Sequence, residues 1–449
     1  MRALLLLIAA AVFLWGISEL ATQRRVEGAE PEPEPEEVGE GRFLAQPPAP
    51  PEDAPAEVSG RAATDSGSPA GTAMADSTPA RTSEPVRGGD ESWLDEALSQ
   101  TPERRHPQLA GALLHLDPVA FGEALRDAAD GLSRDELLLY MAFAEATGGR
   151  LDSARERARQ LDAEAVSKDE LEHLATALAD RGSSALPPSD RDPMRLAMAM
   201  RLASRAAGEA LDEGQWARAA DLLSELLSLE LDAPWPADRA TLAAWSAALR
   251  EAQTNHRFDP KGDWPSIDMT VEPGDSLTAM RVRAIESRPA LVVSTDLIDR
   301  VNGIRGRYLQ EGQVVRVPTD PVRTLVDLSA RWVLVFFGDE VAAAYECGVG
   351  AEETPTITGS FVIGTKRRDP PWLRVGHEPV PFGDPENPLG TRWLGWFDDN
   401  GRTSYGFHGT WEPETVGTAS SLGCIRFVNE EVEELYDLLP RQSPVHVRP

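Results

Sequence analysis

The sequence reads YGFHGT at residues 405–410 and SLGCIR at residues 421–426, with a short polar loop between the two segments. A thiol becomes an effective nucleophile when a neighbouring base takes its proton, and an imidazole within hydrogen-bonding distance can be that base. His408 and Cys424 are therefore the candidate catalytic pair. The two segments indicate the site of a cysteine acyltransferase, and the rest of the C-terminal sequence is interpreted around them.

Five neighbouring residues are candidates for the oxyanion site or the pocket. Gly409 and Gly423 flank the catalytic pair, so a substrate backbone can approach closely and amides beside the thiol can face a developing oxyanion. Arg426 lies two residues after the thiol, which places it on the same side of an extended segment and adds positive charge. A structural ion pair is the alternative role for this arginine. Ser421 and Tyr405 are expected to shape the pocket or to fix the loop.

The pattern as a whole resembles the catalytic domain of the YkuD-type L,D-transpeptidases, whose signature is H-G-T, a loop and S-x-G-C-I-R. Further similarities occur in order along the chain: residues 354–361 resemble the family's T-P-x-G-x-F segment with extra residues, residues 387–390 read Asn-Pro-Leu-Gly, and residues 444–447 read Pro-Val-His-Val. Together they cover roughly the last quarter of the chain. Many members carry a second His where this chain has Leu422, so no role is assigned to a second imidazole.

The resemblance implies a β-rich sandwich for residues 321–449 and a mechanism for it. In the family, the Cys is acylated by a peptidoglycan stem peptide and the His is its base. For this chain it implies that Cys424 attacks a tetrapeptide stem, that D-Ala leaves, and that the thioester passes to an amine acceptor. No carboxylate stands at a fitting position in the motif, so a main-chain carbonyl near Gly409 is expected to orient His408. The alternative is a catalytically inactive peptidoglycan-binding scaffold.

The chain has one further cysteine, Cys347. An even number of cysteines in an exported protein permits a disulfide between Cys347 and Cys424, but that bond would consume the nucleophile. We therefore expect Cys347 to be a small buried hydrophobic residue. No spacing of His, Cys or acidic residues indicates a metal site, and the implied mechanism requires no cofactor.

The composition limits the partners of the protein. Asp and Glu number 74 against 44 Lys and Arg, which gives a formal net charge of −30. No basic tract is available to neutralise phosphates, so nucleic acid is excluded as a partner. At 449 residues the chain is long enough for several domains. We expect a multidomain α+β protein with an all-α region, a small βααβ module and the β-rich C-terminal domain.

The N-terminus has the pattern of an export signal. Residues 3–17 form an uninterrupted apolar run directly after Arg2. Residues 1–25 are therefore predicted to be a signal peptide or an inner-membrane anchor, and both interpretations stay open because the run is shorter than the roughly 20 apolar residues that span a bilayer. Residues 26–91 are rich in Pro, Glu, Ala and Ser, which predicts a disordered linker. The protein is thus expected in the periplasm or the cell envelope.

Residues 92–256 have Leu, Ala and Arg at helical spacing, which predicts an all-α region. A weak internal repeat appears when residues 149–154 are aligned with residues 214–219: each begins with Gly, has a large apolar residue two positions later and ends with Ala. This pattern resembles tetratricopeptide-like helical hairpins, whose period is about 34 residues. The resemblance implies a concave surface for a protein partner. A plain helical spacer is the alternative.

Residues 257–320 carry a second resemblance. A Pro-Gly-Asp-Ser turn contains Gly274 and Asp275, a second turn contains Asn302 and Gly303, and residues 309–318 read LQEGQVVRVP. These features resemble a LysM module of order βααβ, in which Pro and Gly make the tight turn and Asp-Ser caps the first helix. The resemblance implies binding of glycan strands that contain N-acetylglucosamine, with these four residues as candidate contacts. The alternative is a degenerate LysM fold that only packs against the catalytic domain.

Overall fold

The computed structural model describes residues 107–127, 132–183, 192–304, 308–373 and 377–449. The predicted signal peptide or anchor at residues 1–25 and the predicted linker at residues 26–91 lie outside these ranges. Within the described ranges, no helix combines the length and the apolar character needed to cross a membrane.

The region predicted to be all-α is helical over its described residues, which confirms this part of the fold class. Two helices begin with capping boxes, in which Ser133 pairs with Glu136 and Ser167 pairs with Glu170, so the first backbone amides of each helix are satisfied. The helices are α1 (Pro107–His115), α2 (Pro118–Asp127), α3 (Arg134–Thr147), α4 (Leu151–Ala158), α5 (Lys168–Leu178), α6 (Pro193–Asp212), α7 (Trp216–Asp232) and α8 (Arg239–Asn255).

The repeated sequence segments occupy equivalent places in this helical region. Gly149 precedes α4 and Gly214 precedes α7, and both have positive φ, at 80° and 67°. Ala154 and Ala219, which the alignment pairs, are both fully buried on the second helix of their hairpins. Two helical hairpins thus share the turn geometry that the sequence repeat predicts. A protein-binding role for the region stays a prediction.

A small βααβ segment follows. Strands β1 (Ser266–Thr270) and β2 (Val314–Pro318) pair antiparallel, and helices α9 (Leu277–Ser287) and α10 (Thr295–Asn302) lie between them in sequence. This is the element order expected for residues 257–320. Its buried side chains belong to one continuous hydrophobic core with those of the C-terminal sheet. The segment is therefore packed onto the following domain; its assignment as a LysM module stays a prediction.

The C-terminal part is β-rich, as predicted. Eight strands form one mixed sheet in the order β11-β9-β8-β7-β12-β3-β4-β5, and β6 pairs with β10 in a separate two-stranded parallel sheet. The strands are β3 (Val322–Asp327), β4 (Trp332–Phe337), β5 (Glu340–Glu346), β6 (Val349–Gly350), β7 (Gly359–Arg368), β8 (Arg392–Asp398), β9 (Gly401–Thr410), β10 (Ala419–Ser421), β11 (Ile425–Val428) and β12 (Pro444–Arg448); helix α11 (Asn429–Leu438) lies between β11 and β12.

Aromatic side chains fix one face of this sheet as its core face. Trp396, Phe407 and Phe427, from β8, β9 and β11, are fully buried. Phe407 packs edge-on against both others, with ring centroids 5.0 Å from Trp396 and 5.6 Å from Phe427. Because side chains alternate between the two faces of a strand, the neighbours of these residues point to the opposite face, which we call the outer face.

The helical region covers β5, an edge strand of the sheet. An edge strand presents backbone groups that have no ladder partner. Three buried helix side chains bind such groups: Ser224 Oγ accepts from the Val341 amide at 2.7 Å, Gln253 Nε2 donates to the Val341 carbonyl at 3.2 Å, and Ser246 Oγ donates to the Ala344 carbonyl at 2.7 Å. The helices therefore satisfy the edge that would otherwise be open to another strand.

This contact predicts a stability effect for Ser224→Ala. The substitution leaves the buried Val341 amide without a partner, so we expect a loss of about 1–3 kcal/mol in the free energy of unfolding. Ser228→Ala is the matched control, because the Ser228 hydroxyl donates only to the Ser224 carbonyl within the same helix. The control is expected to change stability by less than about 0.5 kcal/mol in urea denaturation. Equal losses for the two variants would contradict a role for the contact with β5.

Candidate active site

His408 and Cys424 lie on adjacent parallel strands. In the pairing of β9 with β11, Arg426 lies opposite His408, and Ile425 lies opposite the buried Phe407. Cys424 immediately precedes β11, so alternation places its side chain on the outer face with those of His408 and Arg426. The Cys424 thiol also reaches the neighbouring strand, where its Sγ lies 3.7 Å from the Ser404 carbonyl oxygen. The structure thus brings the two predicted catalytic residues to one place.

A backbone carbonyl orients the imidazole. The Nδ1 atom of His408 lies 2.6 Å from the Gly409 carbonyl oxygen, which confirms the expected main-chain orienter. When Nδ1–H donates to this carbonyl, Nε2 carries the lone pair and can take a proton. Gly409 itself is required by close packing, because a Cβ atom at this position would overlap the side-chain oxygen of Asn429.

The turn that carries the thiol is held by Ser421. The buried Ser421 hydroxyl donates to the Cys424 carbonyl at 2.6 Å and accepts from the Gly423 amide at 3.0 Å. Gly423 has a φ of +110°, and a Cβ there would lie 2.7 Å from the Tyr405 ring. The Gly423 amide, which we expected near the oxyanion, is therefore engaged inside the turn, and the glycine supplies its conformation and a close approach to Tyr405.

Burial favours the neutral form of both candidate catalytic groups. It lowers the pKa of His408 to about 4; Arg426 lowers it further, against the opposing hydrogen bond to the Gly409 carbonyl. Burial raises the pKa of Cys424 to about 11, against the opposing effects of a hydrogen bond to the Gly406 backbone and the charge of Arg426. The resting state is thus a thiol beside a neutral imidazole, in which the imidazole is free to act as a base.

Arg426 also fastens the loop between the two motif segments. Its guanidinium donates to the Ser420 carbonyl at 2.8 Å and to the Thr415 hydroxyl at 3.3 Å. Burial lowers the pKa of Arg426, while Glu412 and Cys424 raise it. The arginine therefore combines a structural role in the loop with a positive field at the thiol.

A cavity of about 470 Å³ adjoins the site and is lined by residues 353–358 and Tyr405. The segment beside this cavity is hydrogen-bonded to the turn that contains Cys424. The Thr354 hydroxyl and the Ala351 amide both donate to the Ser421 carbonyl, at 2.8 Å and 2.9 Å. The T-P segment recognised in the sequence thus becomes a wall of the pocket beside the thiol.

Sequence reasoning missed one anchoring residue, Asn429. Its side chain accepts from the Thr391 amide at 3.1 Å and donates to the Thr410 carbonyl at 2.9 Å, which joins the ends of β8 and β9 to α11. An asparagine at the start of a helix after a strand is the available signal, since Asn commonly binds backbone groups there. Trp393 was also missed as a site residue; its ring centroid lies 6.2 Å from that of His408.

The second cysteine is outside the site. Cys347 is fully buried and both cysteines are free thiols, which confirms Cys347 as a buried apolar residue. Burial raises the pKa of Cys347 well above its ordinary value, so it is inert as a nucleophile. Across the described ranges, no group of three or more His, Cys, Asp or Glu residues could hold a metal ion.

The four candidate glycan contacts of the βααβ segment have internal roles. Asp275 accepts from the Arg283 guanidinium at 2.8 Å and from the Glu272 amide at 2.8 Å. The Asn302 side chain donates to the Arg316 carbonyl at 2.7 Å and accepts from the Arg316 amide at 2.9 Å. Gly274 and Gly303 supply turns with φ of 84° and 60°. These contacts account for the four residues by folding alone, and glycan binding stays a prediction.

Comparison with known proteins places the site in a family context. Residues 321–447 match the family described as YkuD, the L,D-transpeptidase catalytic domain. The chain is 30% identical over 185 residues to "Putative L,D-transpeptidase YkuD" of Bacillus licheniformis, which is 40% of this chain and 97% of that protein. It is also 35% identical over 126 residues to "Putative L,D-transpeptidase YqjB" of Bacillus subtilis, and the match covers 28% of this chain and 69% of that protein. Among solved structures, L,D-transpeptidase 3 from Mycobacterium tuberculosis with a faropenem-derived adduct is 17% identical with a TM-score of 0.25, covering 41% of this chain and 92% of that one.

The neutral resting pair predicts the pH dependence of thiol alkylation. Because the pKa of Cys424 is about 11, the thiolate fraction at neutral pH is small and grows about tenfold per pH unit. Iodoacetamide labelling of Cys424, followed by intact mass, is therefore expected to accelerate through pH 7–10 without a plateau. A plateau below pH 8 would show a preformed thiolate and contradict the assignment.

The variants Arg426→Gln and Arg426→Lys together separate the charge of the arginine from its guanidinium contacts. The positive charge lowers the pKa of Cys424, so its removal in Arg426→Gln is expected to raise that pKa further and to slow alkylation at pH 8. Arg426→Lys keeps the charge and is expected to restore most of the rate. An equal rate for the Gln and Lys variants would show that the effect comes from the loop alone.

Proposed function

The chain belongs to the YkuD family of L,D-transpeptidases, and from this premise we propose that it forms a thioester between Cys424 and a peptidoglycan tetrapeptide stem and transfers the stem to an amine. The observation that supports the proposal is the pairing of β9 with β11, in which His408 lies opposite Arg426, two residues after Cys424, and Nδ1 of the imidazole is bound to a carbonyl. A histidine with a free Nε2 beside a thiol is the arrangement that acyl transfer through cysteine requires.

The proposed reaction has two halves. As Sγ of Cys424 attacks the carbonyl carbon of the third stem residue, a diamino acid, Nε2 of His408 takes the thiol proton. The tetrahedral intermediate then collapses, the bond to D-Ala breaks, and the imidazolium returns the proton to the departing amine. In the second half, an acceptor amine attacks the thioester and gives a proton to His408. The new amide forms, and the proton returns to Sγ.

The neutral pair determines when charge appears in this mechanism. With an imidazole pKa of about 4 and a thiol pKa of about 11, the ion pair is unfavourable in the free protein. Proton transfer is therefore coupled to attack, and the imidazolium exists only while the sulfur bonds to carbon. A carbonyl orienter suits this task, since a thiol needs a weaker base than a hydroxyl does.

The partners and location follow from the substrate. The family acts on peptidoglycan stem peptides, which indicates that its members work outside the cytoplasm. We therefore propose the periplasm or the cell envelope as the location of this protein. The apolar run at residues 3–17 supports export through a signal peptide or an inner-membrane anchor. Contact with glycan strands through residues 257–320 and with a protein partner through the helical region are further proposals, supported by their sequence resemblances.

The proposal is tested on the nucleophile. Incubation of the protein with disaccharide-tetrapeptide is expected to release D-Ala and to add the acyl mass to Cys424, as seen by mass spectrometry. Cys424→Ala is expected to abolish both. Cys347→Ala is the matched control, because this thiol is fully buried in the hydrophobic core, and it is expected to keep both the adduct and the release.

The scaffold alternative makes the opposite prediction. A peptidoglycan-binding protein without activity would pellet with sacculi, form no adduct and keep its cellular effect after Cys424→Ala. Absence of turnover and adduct in the folded wild-type protein would therefore reject the transpeptidase proposal in favour of this one.

Ser421→Ala tests the turn that positions the thiol. The variant loses the hydrogen bonds to the Gly423 amide and the Cys424 carbonyl, so the nucleophile shifts and acylation is expected to slow by up to about 100-fold. Ser420→Ala is the control, because this exposed hydroxyl contacts only Thr418 Oγ1. Single-turnover acylation rates from intact mass provide the measurement. If both variants acylate at the wild-type rate, Ser421 has no positioning role.

A further inference from the structure

The cavity beside Tyr405 reaches the nucleophile turn through Gly423. A Cβ atom at Gly423 would lie 2.7 Å from the Tyr405 ring and 3.5 Å from the Pro355 carbonyl oxygen, and both of these residues line the cavity. Gly423 immediately precedes Cys424 in the chain. Two walls of the cavity therefore meet at the residue before the thiol, and a substrate side chain in the cavity belongs to a residue close to the bond that Cys424 attacks.

The size and the walls of this cavity suit an aliphatic side chain. Its volume of about 470 Å³ lies within the range of roughly 300–1,000 Å³ that is usual for small-ligand sites. Pro355, Ile357 and the Tyr405 ring provide apolar surface along it. Methylene groups gain free energy when such surface removes them from water.

The polar groups of the lining differ in whether the fold already uses them. The Thr354 hydroxyl donates to the Ser421 carbonyl at 2.8 Å. The Thr356 hydroxyl accepts from the Gly350 amide at 2.9 Å. Glu353 is the one charged residue of the lining, and within the described part of the chain its exposed side chain has neither an ion-pair nor a hydrogen-bond partner. The cavity thus combines apolar walls with one carboxylate that the fold does not use.

The backbone around Glu353 is fixed relative to the nucleophile turn. The Thr354 amide donates to the Ala351 carbonyl at 3.1 Å, which closes a turn around Glu353. The Ala351 amide in turn donates to the Ser421 carbonyl at 2.9 Å. The carboxylate therefore starts from a backbone position that is set by the same residue that holds the Cys424 turn.

We infer that this cavity takes the side chain of the third stem residue and that the Glu353 carboxylate binds the ammonium group at its end. The inference rests on the proposed function for the identity of the substrate. A diamino acid has one amine outside the peptide chain, and an amine of the lysine type, with a pKa of about 10.4, is protonated at pH 7. This amine takes no part in the acylation of Cys424, so it keeps its charge while the neighbouring carbonyl is attacked. Glu353 would thus select a cationic side chain and help to place that carbonyl at the thiol.

Binding is measured in the Cys424→Ala protein, so that no acyl transfer occurs. The probes are a stem tetrapeptide with lysine at its third position and the same peptide with the lysine amine acetylated. Isothermal titration calorimetry is expected to show that acetylation weakens binding about fivefold, as for a solvent-exposed ion pair. Adding Glu353→Gln is expected to weaken the lysine peptide to the level of the acetylated one and to leave the acetylated peptide unchanged.

Glu352→Gln is the matched control. Glu352 is the exposed neighbour in the same turn, it removes the same charge, and it does not line the cavity. This variant is expected to keep the fivefold preference for the free amine. Glu353→Asp keeps the charge and is expected to restore most of that preference.

A preference for the free amine that is the same with and without Glu353 overturns the inference, as does a protein that binds neither peptide. Loss of the preference in both Gln variants also overturns it, because the effect would then come from general charge. Thioester formation by the wild-type protein is measured separately with both peptides. If no thioester forms while Glu353-dependent binding of the free amine persists, the proposed function falls and the side-chain site stands.

Discussion

The register between β9 and β11 is the constraint on which the site depends. Side chains alternate along a strand, so the register that buries Phe407 against Phe427 also turns His408 and Arg426 to the outer face. A slip of one residue would turn the aromatic rings to the outer face and the imidazole and the guanidinium to the core face. The large burial energy of the aromatic cluster therefore stabilises the catalytic arrangement as well, since one geometry satisfies both.

Burial of the site sets its chemistry. Desolvation disfavours every charged form, so it lowers the pKa of His408 and raises that of Cys424 together. The fixed groups around the pair act against this in part: the Gly409 carbonyl holds Nδ1, and Arg426 favours the thiolate. A resting thiol of high pKa is also less prone to oxidation and unwanted alkylation than a permanent thiolate. The proposed mechanism then generates charge only when a substrate carbonyl is present.

The helical region and the βααβ segment both pack directly against the C-terminal sheet. The helices satisfy the edge strand β5 through Ser224, Ser246 and Gln253, and the βααβ segment shares a core with the sheet. The helical region also reaches the loop after the H-G-T segment: Arg239 on α8 pairs with Glu346, and a Cβ at Gly417 would lie 2.8 Å from the Arg239 guanidinium. Removal of either accessory region would thus expose backbone or apolar surface of the catalytic domain itself.

The sequence by itself determined the catalytic family, the candidate pair and the order of helical, βααβ and β-rich regions. These properties depend on local patterns: the H-G-T and S-x-G-C-I-R segments, helical spacing, and turn residues such as Gly274 and Gly303. The carbonyl orienter of His408 was also predictable, because the motif offers no carboxylate.

Only the tertiary structure decided the contacts between residues far apart in sequence. In the folded chain, the Gly423 amide donates to the Ser421 hydroxyl within the turn, and Asn429 contacts the ends of two strands. Strand pairing also places Trp393, Arg367 and Arg402 on one face of the sheet. It also gave Asp275 and Asn302 internal partners where the sequence resemblance implied a ligand. The physical reason is that strand register and burial arise from the packing of the whole chain, whereas motif and period are properties of a short segment.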